Sequence, residues 1–132
     1  MAIGKAIYSI LAGNSDVAGV VGTKIFPQKR PLDTRGNSIT YFVIDTTPNN
    51  TKNGVSTYDY IRCQITAFGR DYGAAQDLAA KIRTALDYVS GTYSGIVIDK
   101  IFFEDSNDLF DDSYGENGIH YVALDFRFNV NR

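Results

Sequence analysis

Residues 55–88 read VSTYDYIRCQITAFGRDYGAAQDLAAKIRTALDY, and the period of their apolar residues changes once. From Val55 to Phe68 it is two: Ile61, Cys63, Ile65 and Ala67 fall on one face, and Tyr58, Tyr60, Arg62, Gln64 and Thr66 on the other. Successive strand side chains point to opposite faces, so the stretch predicts a strand with one buried side. Gly69 ends it, and Asp71 is placed to cap a helix. From Tyr72 to about Tyr88 the apolar residues Ala75, Leu78, Ala79, Ile82 and Leu86, with Val89 beyond, recur at helical spacing. That stripe is rich in alanine, so the helix can lie close against a sheet.

Further strands flank this unit. Ile39–Asp45 is β-branched and aromatic, and Thr46–Gly54 (TTPNNTKNG) is a polar turn region ending in the turn signal Asn53-Gly54. Residues 27–38 hold two prolines, a glycine and four charges and read as a loop. Before it come a helix to about Ala12, a short helix around Val17–Val21 capped by Ser15 or Asp16, and a brief strand Lys24–Phe26. After it, residues 96–103 (IVIDKIFF) and His120–Val130 read as strands, joined by a long acidic connection, Glu104–Gly118. Adjacent strands with helices between predict one α+β domain over residues 1–132: an antiparallel β-sheet with one long helix and an N-terminal helix packed on one face.

The 132 residues carry 13 basic and 15 acidic side chains, a net charge of −2, which gives no electrostatic reason to expect nucleic-acid binding. A hydrophobic fraction of 44% suffices for a core and argues against disorder. No apolar run approaches the ~20 residues of a spanning helix, so no membrane is expected. The Lys5-led opening stretch fits an amphipathic helix better than a signal peptide, and Asn49-Asn50-Thr51 matches a glycosylation acceptor only by sequence.

Candidate chemistry is sparse. Cys63 and His120 are single residues of their kinds, and one cysteine excludes an internal disulfide. Cys63 alternates with isoleucines and reads as core, and His120 as a strand-end residue. A zinc site needs more ligands than these two. The acidic run lacks the glycine and glutamate of an EF-hand loop, leaving a loose calcium site or a solvated loop. Gly19–Lys24 has the wrong order and spacing for a phosphate loop, and paired carboxylates in a loop are not fixed across a cleft as glycosidase chemistry requires. No catalytic, cofactor or metal residues are assigned.

What remains is surface. Glu104, Asp105, Asp108, Asp111, Asp112 and Glu116 place six carboxylates within thirteen residues, and residues 101–126 contain no lysine or arginine. Lys29, Arg30 and Arg35 form an opposed basic segment, so the two could meet between copies or simply be solvated. Tyr58, Tyr60 and Arg62 are residue types enriched at protein interfaces.

The chain resembles the bacteriophage tail-completion (tail-terminator, head–tail joining) family. The resemblance rests on the N-terminal and Val17–Val21 helices, Gly22-Thr23-Lys24-Ile25-Phe26-Pro27, Ser38-Ile39-Thr40-Tyr41-Phe42-Val43, and Tyr60-Ile61-Arg62-Cys63-Gln64-Ile65-Thr66-Ala67-Phe68 leading into the alanine-rich helix to Leu86. Thr40 departs from the proline that such proteins often place there. The resemblance implies a structural virion protein, assembled in the host cytoplasm, forming a ring of six copies at the head–tail junction between connector and tail tube. DNA would pass through it without specific binding, and neither enzyme nor cofactor is implied. A neighbouring head-closure or tail-tube subunit is the alternative of the same kind; a small ligand-binding or hydrolase domain using the acidic loop is the alternative of another.

Overall fold

The computed structural model describes residues 3–28, 36–50, 54, 57–111 and 119–131. Its centre is a six-stranded sheet in the order β1-β2-β3-β6-β5-β4. The strands are β1 (Ile25–Pro27), β2 (Ser38–Pro48), β3 (Tyr58–Gly69), β4 (Gly91–Tyr93), β5 (Ile96–Asp111) and β6 (Ile119–Asn131). Three helices accompany it: α1 (Ile3–Gly13), α2 (Ser15–Val21) and α3 (Tyr72–Leu86).

Register explains why one side is buried. β3 and β6 run antiparallel with Ile61 opposite Phe128, Cys63 opposite Phe126, Ile65 opposite Leu124 and Ala67 opposite Val122. Their alternations therefore coincide, and all eight of these residues are buried. The α3 stripe of Ala75, Leu78, Ala79, Ile82 and Leu86, with Ile3, Ile7 and Leu11 of α1 and Val17 and Val21 of α2, joins that inner face in one core.

The strand-to-helix turn is fixed by close approach. A Cβ on Gly69 would lie 2.3 Å from the backbone nitrogen of Ala75, so only glycine lets β3 end against the start of α3. The Asp71 Oδ1 then accepts from the Ala74 N–H at 2.8 Å as an N-cap. At the other pair of helices the cap is Asn14, whose Oδ1 accepts from Asp16 and Val17, rather than Ser15 or Asp16.

Several sequence expectations are corrected. The sheet is mixed, because β1 pairs parallel with β2 while the remaining pairs are antiparallel. β2 runs through Thr46 and Thr47 to Pro48, held by Thr47 opposite Tyr60, where composition predicts a turn. α3 stops at Leu86, two residues short of expectation, because Asp87 turns extended as its C-cap. The short strand β4 was not foreseen. The largest correction is the acidic connection: Glu104–Asp111 is the second half of β5, paired to β6 down to Asp111 opposite Ile119. Val55 and Ser56, predicted to open the long strand, and residues 112–118 lie outside the described residues.

Candidate assembly surfaces

The outer side of the central strands carries Tyr58, Tyr60, Arg62, Gln64 and Phe68 of β3 beside Tyr121, Asp125, Arg127 and Asn129 of β6, all at least partly exposed. Most of its partners are local. The Tyr58 hydroxyl donates to Asp99 Oδ2 at 2.7 Å, and burial together with this bond raises its pKa to about 12. Tyr58 and Tyr60 meet edge to face, and Phe68 stacks on Tyr121. Arg62 pairs with Asp45 at 3.3 Å with both side chains about half exposed, a geometry that stabilises little. Like charges also face each other across the strands, Arg62 opposite Arg127 and Asp105 opposite Asp125. Arg127 Nε and Asn129 Oδ1 are buried and lack a hydrogen-bond partner. The half-exposed tyrosines and arginines of this face are residue types enriched at protein interfaces.

β5 divides in two. Up to Phe103 its backbone is engaged on the side away from β6. β4 pairs with Ile96–Ile98, Tyr88 and Val89 bond Ile101, and the Phe103 N–H donates to Asp87 Oδ1. Beyond Phe103 no strand among the described residues takes that side, and Glu104–Phe110 are all exposed. Ile101 and Phe103 thus point away from β6, and ladder alternation across the bulge at Phe103/Asp105 turns Ser106, Asp108 and Phe110 to the same free edge. Consistent with this, the Ser106 N–H is taken by the neighbouring Asp105 side chain. Leu109 and Phe110 are exposed, and Phe110 lies 4.7 Å from the His120 ring, which also meets Tyr72 edge to face. A shallow cavity of about 180 Å³ opens among these rings.

A second free edge lies on the other side of the sheet. Among the described residues β1 covers β2 from Ile39 to Tyr41 and no further, with Ile39 N–H donating to Lys24 and Tyr41 C=O accepting from Gln28. The same alternation turns Val43 outward and, after the bulge at Val43/Asp45, Thr46. Phe42, Val43 and Ile44 are exposed there. A groove of about 420 Å³ runs between this edge and α1, lined by Gly4, Pro27, Gln28, Tyr41, Phe42 and Val43. It shares Tyr41 with a neighbouring hollow of about 610 Å³ that includes Lys5 and Tyr8.

The predicted residues are therefore scattered over distinct surfaces. Tyr58, Tyr60 and Arg62 share the outer face, whereas Glu104, Asp105 and Asp108 line the uncovered half of β5, with Asp111 at its end. Lys29, Arg30, Arg35, Asp112 and Glu116 lie outside the described residues. The β2 edge and its groove were missed, since only the tertiary arrangement of α1 and β1 leaves that edge open.

Cys63 is fully buried, and burial, with a smaller push from Asp45, raises its thiol to about 12, far from a reactive thiolate. His120 lies opposite Gly69 and Cys63 opposite Phe126, six residues apart on β6 (126 − 120), roughly 20 Å along a strand. They form no dyad. Among the described residues no three histidine, cysteine or carboxylate groups gather to hold a metal, and no helix is long and apolar enough to cross a membrane.

The family model described as "Tail completion protein gp17" matches residues 5–131. A chain from a structure titled "Virion of native gene transfer agent (GTA) particle" shares the fold with TM-score 0.80 at 19% identity, over 96% of this chain and 92% of that one. A second solved chain aligns with TM-score 0.60 at 11% identity, over 98% and 93% of the two chains. Comparison with curated proteins returned no match.

Proposed function

This chain belongs to the tail completion protein gp17 family, and from that premise we propose that it is a structural, non-enzymatic virion subunit that forms a ring of six copies at the head–tail junction. The observation that carries the reading is the family match over nearly the whole chain. The fold shared with a chain of a gene transfer agent virion supports it. So does the surface, which offers uncovered strand edges among the described residues and a sheet face of tyrosines and arginines, residue types enriched at interfaces. Its partners in this reading are further copies of itself, the tail tube and the connector, with DNA passing through unread.

Glu104, Asp105 and Asp108 serve this function in one of two ways. On a channel wall they repel the phosphates of passing DNA. At a subunit contact they steer ring closure against basic residues such as Lys29, Arg30 and Arg35, and assembly weakens with salt. Replacing Asp105 and Asp108 with asparagine separates the two. Normal rings with slowed DNA release assign the wall, and rings lost at moderate salt assign the contact. Particles that assemble head to tail without this chain would sink the proposal.

A further inference from the structure

Among the described residues the sheet ends in two uncovered edges of different character, and their directions fit one to the other. The uncovered half of β5 presents the backbone groups of Asp108 and Phe110 and the Ser106 carbonyl, and every residue from Glu104 to Phe110 is exposed. The uncovered part of β2 presents Val43 and Thr46 beside an apolar groove. Exposed edges template pairing with another chain.

We propose that the free edge of β5 in one copy pairs antiparallel with the free edge of β2 in a second copy, seating Phe110 in the groove between β2 and α1. The proposal rests on the multi-copy reading above and names its contact. Within one chain β5 runs opposite to β2, as the three antiparallel steps between them require. A head-to-tail repeat that keeps the sheet's direction therefore joins the two edges antiparallel. It also keeps the sheet's faces. Asp108 and Phe110 sit opposite Val122 and His120, on the inner side, and α1 covers the inner side of β2 at Tyr41. Phe110 of one copy then meets the groove of the next.

Charge selects this pairing over a two-fold one. Two β5 edges set against each other would oppose Glu104, Asp105 and Asp108 of both copies with no base between them, which is unfavourable. None of the described residues lining the groove beside β2 is acidic, and the hollow that adjoins it holds Lys5. Because the two edges differ, the contact is heterologous and can propagate from copy to copy, as a ring requires.

The test uses two single-cysteine chains of different mass in a Cys63→Ala background, one with Asp108→Cys and one with Val43→Cys. They are treated with a short bismaleimide, mixed in concentrated solution and in assembled particles. Mixed-mass dimers as the dominant product are expected. Dominant Asp108→Cys homodimers, or no dimer in either sample, overturn the pairing. Particles that contain the chain but give no mixed product overturn the pairing and leave the proposed function standing. Particles that lack the chain overturn the function, and the solution sample then decides the pairing. Asp108→Pro removes one outward donor without touching the ladder to β6, so it should abolish association while circular dichroism stays unchanged. Association undiminished in a folded Asp108→Pro chain also overturns the proposal.

Discussion

Two halves of the same strand behave as different objects. Both halves of β5 pair with β6, so the ladder that fixes their conformation is shared. Ile96–Phe103 has a second neighbour as well, in β4 and the α3 exit, and it supplies Ile98 and Ile101 to the core. Glu104–Phe110 has no second strand beside it among the described residues and is exposed throughout, with Leu109 and Phe110 at 43% and 53%. One partner suffices to make a strand. The second decides whether the strand belongs to the core or to the surface where another molecule can join.

The comparison breaks most easily through stability. Ile101 is fully buried, and Ile101→Ala should cost about 2–4 kcal/mol from lost burial and the cavity left behind. Leu109→Ala, in the other half, should stay within about 0.5 kcal/mol of the parent, as exposed substitutions do. Urea unfolding of the two variants checks this directly. Comparable losses would show that the distal half is held as tightly as the proximal half, and the division would fall.

A smaller effect sharpens the boundary. The Phe103 N–H donates to Asp87 Oδ1 at 3.1 Å in a part-buried setting, the last tie before the strand runs free. Arg83 lies over the Phe103 ring at 4.0 Å and reaches the Asp87 carboxylate at 4.0 Å. Asp87→Ala leaves that N–H unmatched and should cost about 1–2 kcal/mol. The exchange of the Phe103 amide should quicken more than that of Ile101, whose N–H is held by the Val89 carbonyl. Equal quickening at both positions would place the boundary elsewhere.

The same boundary marks where the sequence could be read. Ile96–Phe103 is apolar and β-branched, and the strand was legible. Glu104–Asp111 (EDSNDLFD) has the composition of a turn, and its extended form is imposed by β6, whose alternation continues past it. Thr46–Pro48 is the same case on β2. In the centre, coinciding periods in β3, β6 and α3 identified the inner-face core, including Cys63, but not Asp59 or the facing pair Thr66 and Ala123, which are buried as well. The parallel pairing of β1 and the open β2 edge had no local signal, because each depends on where α1 and β1 come to rest. Of the surface residues singled out, Tyr58, Tyr60 and Arg62 do share a face. The acidic residues were recognised as a cluster but assigned to a loop.

The smallest effect lies where the exposed half of β5 meets β6 on the outer face. Asp105 stands directly opposite Asp125 across the ladder. Burial raises the Asp125 pKa, Asp105 and Glu104 push it further, and Arg62 partly offsets them. A carboxyl whose folded pKa exceeds its unfolded value binds more protons folded than unfolded between the two. Stability therefore falls as pH rises through that window. The cost is fully present above the folded pKa and absent below the unfolded one. Asp125→Asn should remove it, raising stability at neutral pH by roughly 0.2–1 kcal/mol, the range for a cross-strand pair. Urea unfolding from about pH 4 to 7 should then show a shallower decline for the variant than for the parent across the range where carboxylates titrate. Asp105→Asn should recover only part of that gain, because it relieves the repulsion and leaves the burial of Asp125 in place. If Asp125→Asn destabilises at neutral pH, the Arg62 attraction outweighs burial and repulsion together, and the outer face is held by its charges rather than strained by them.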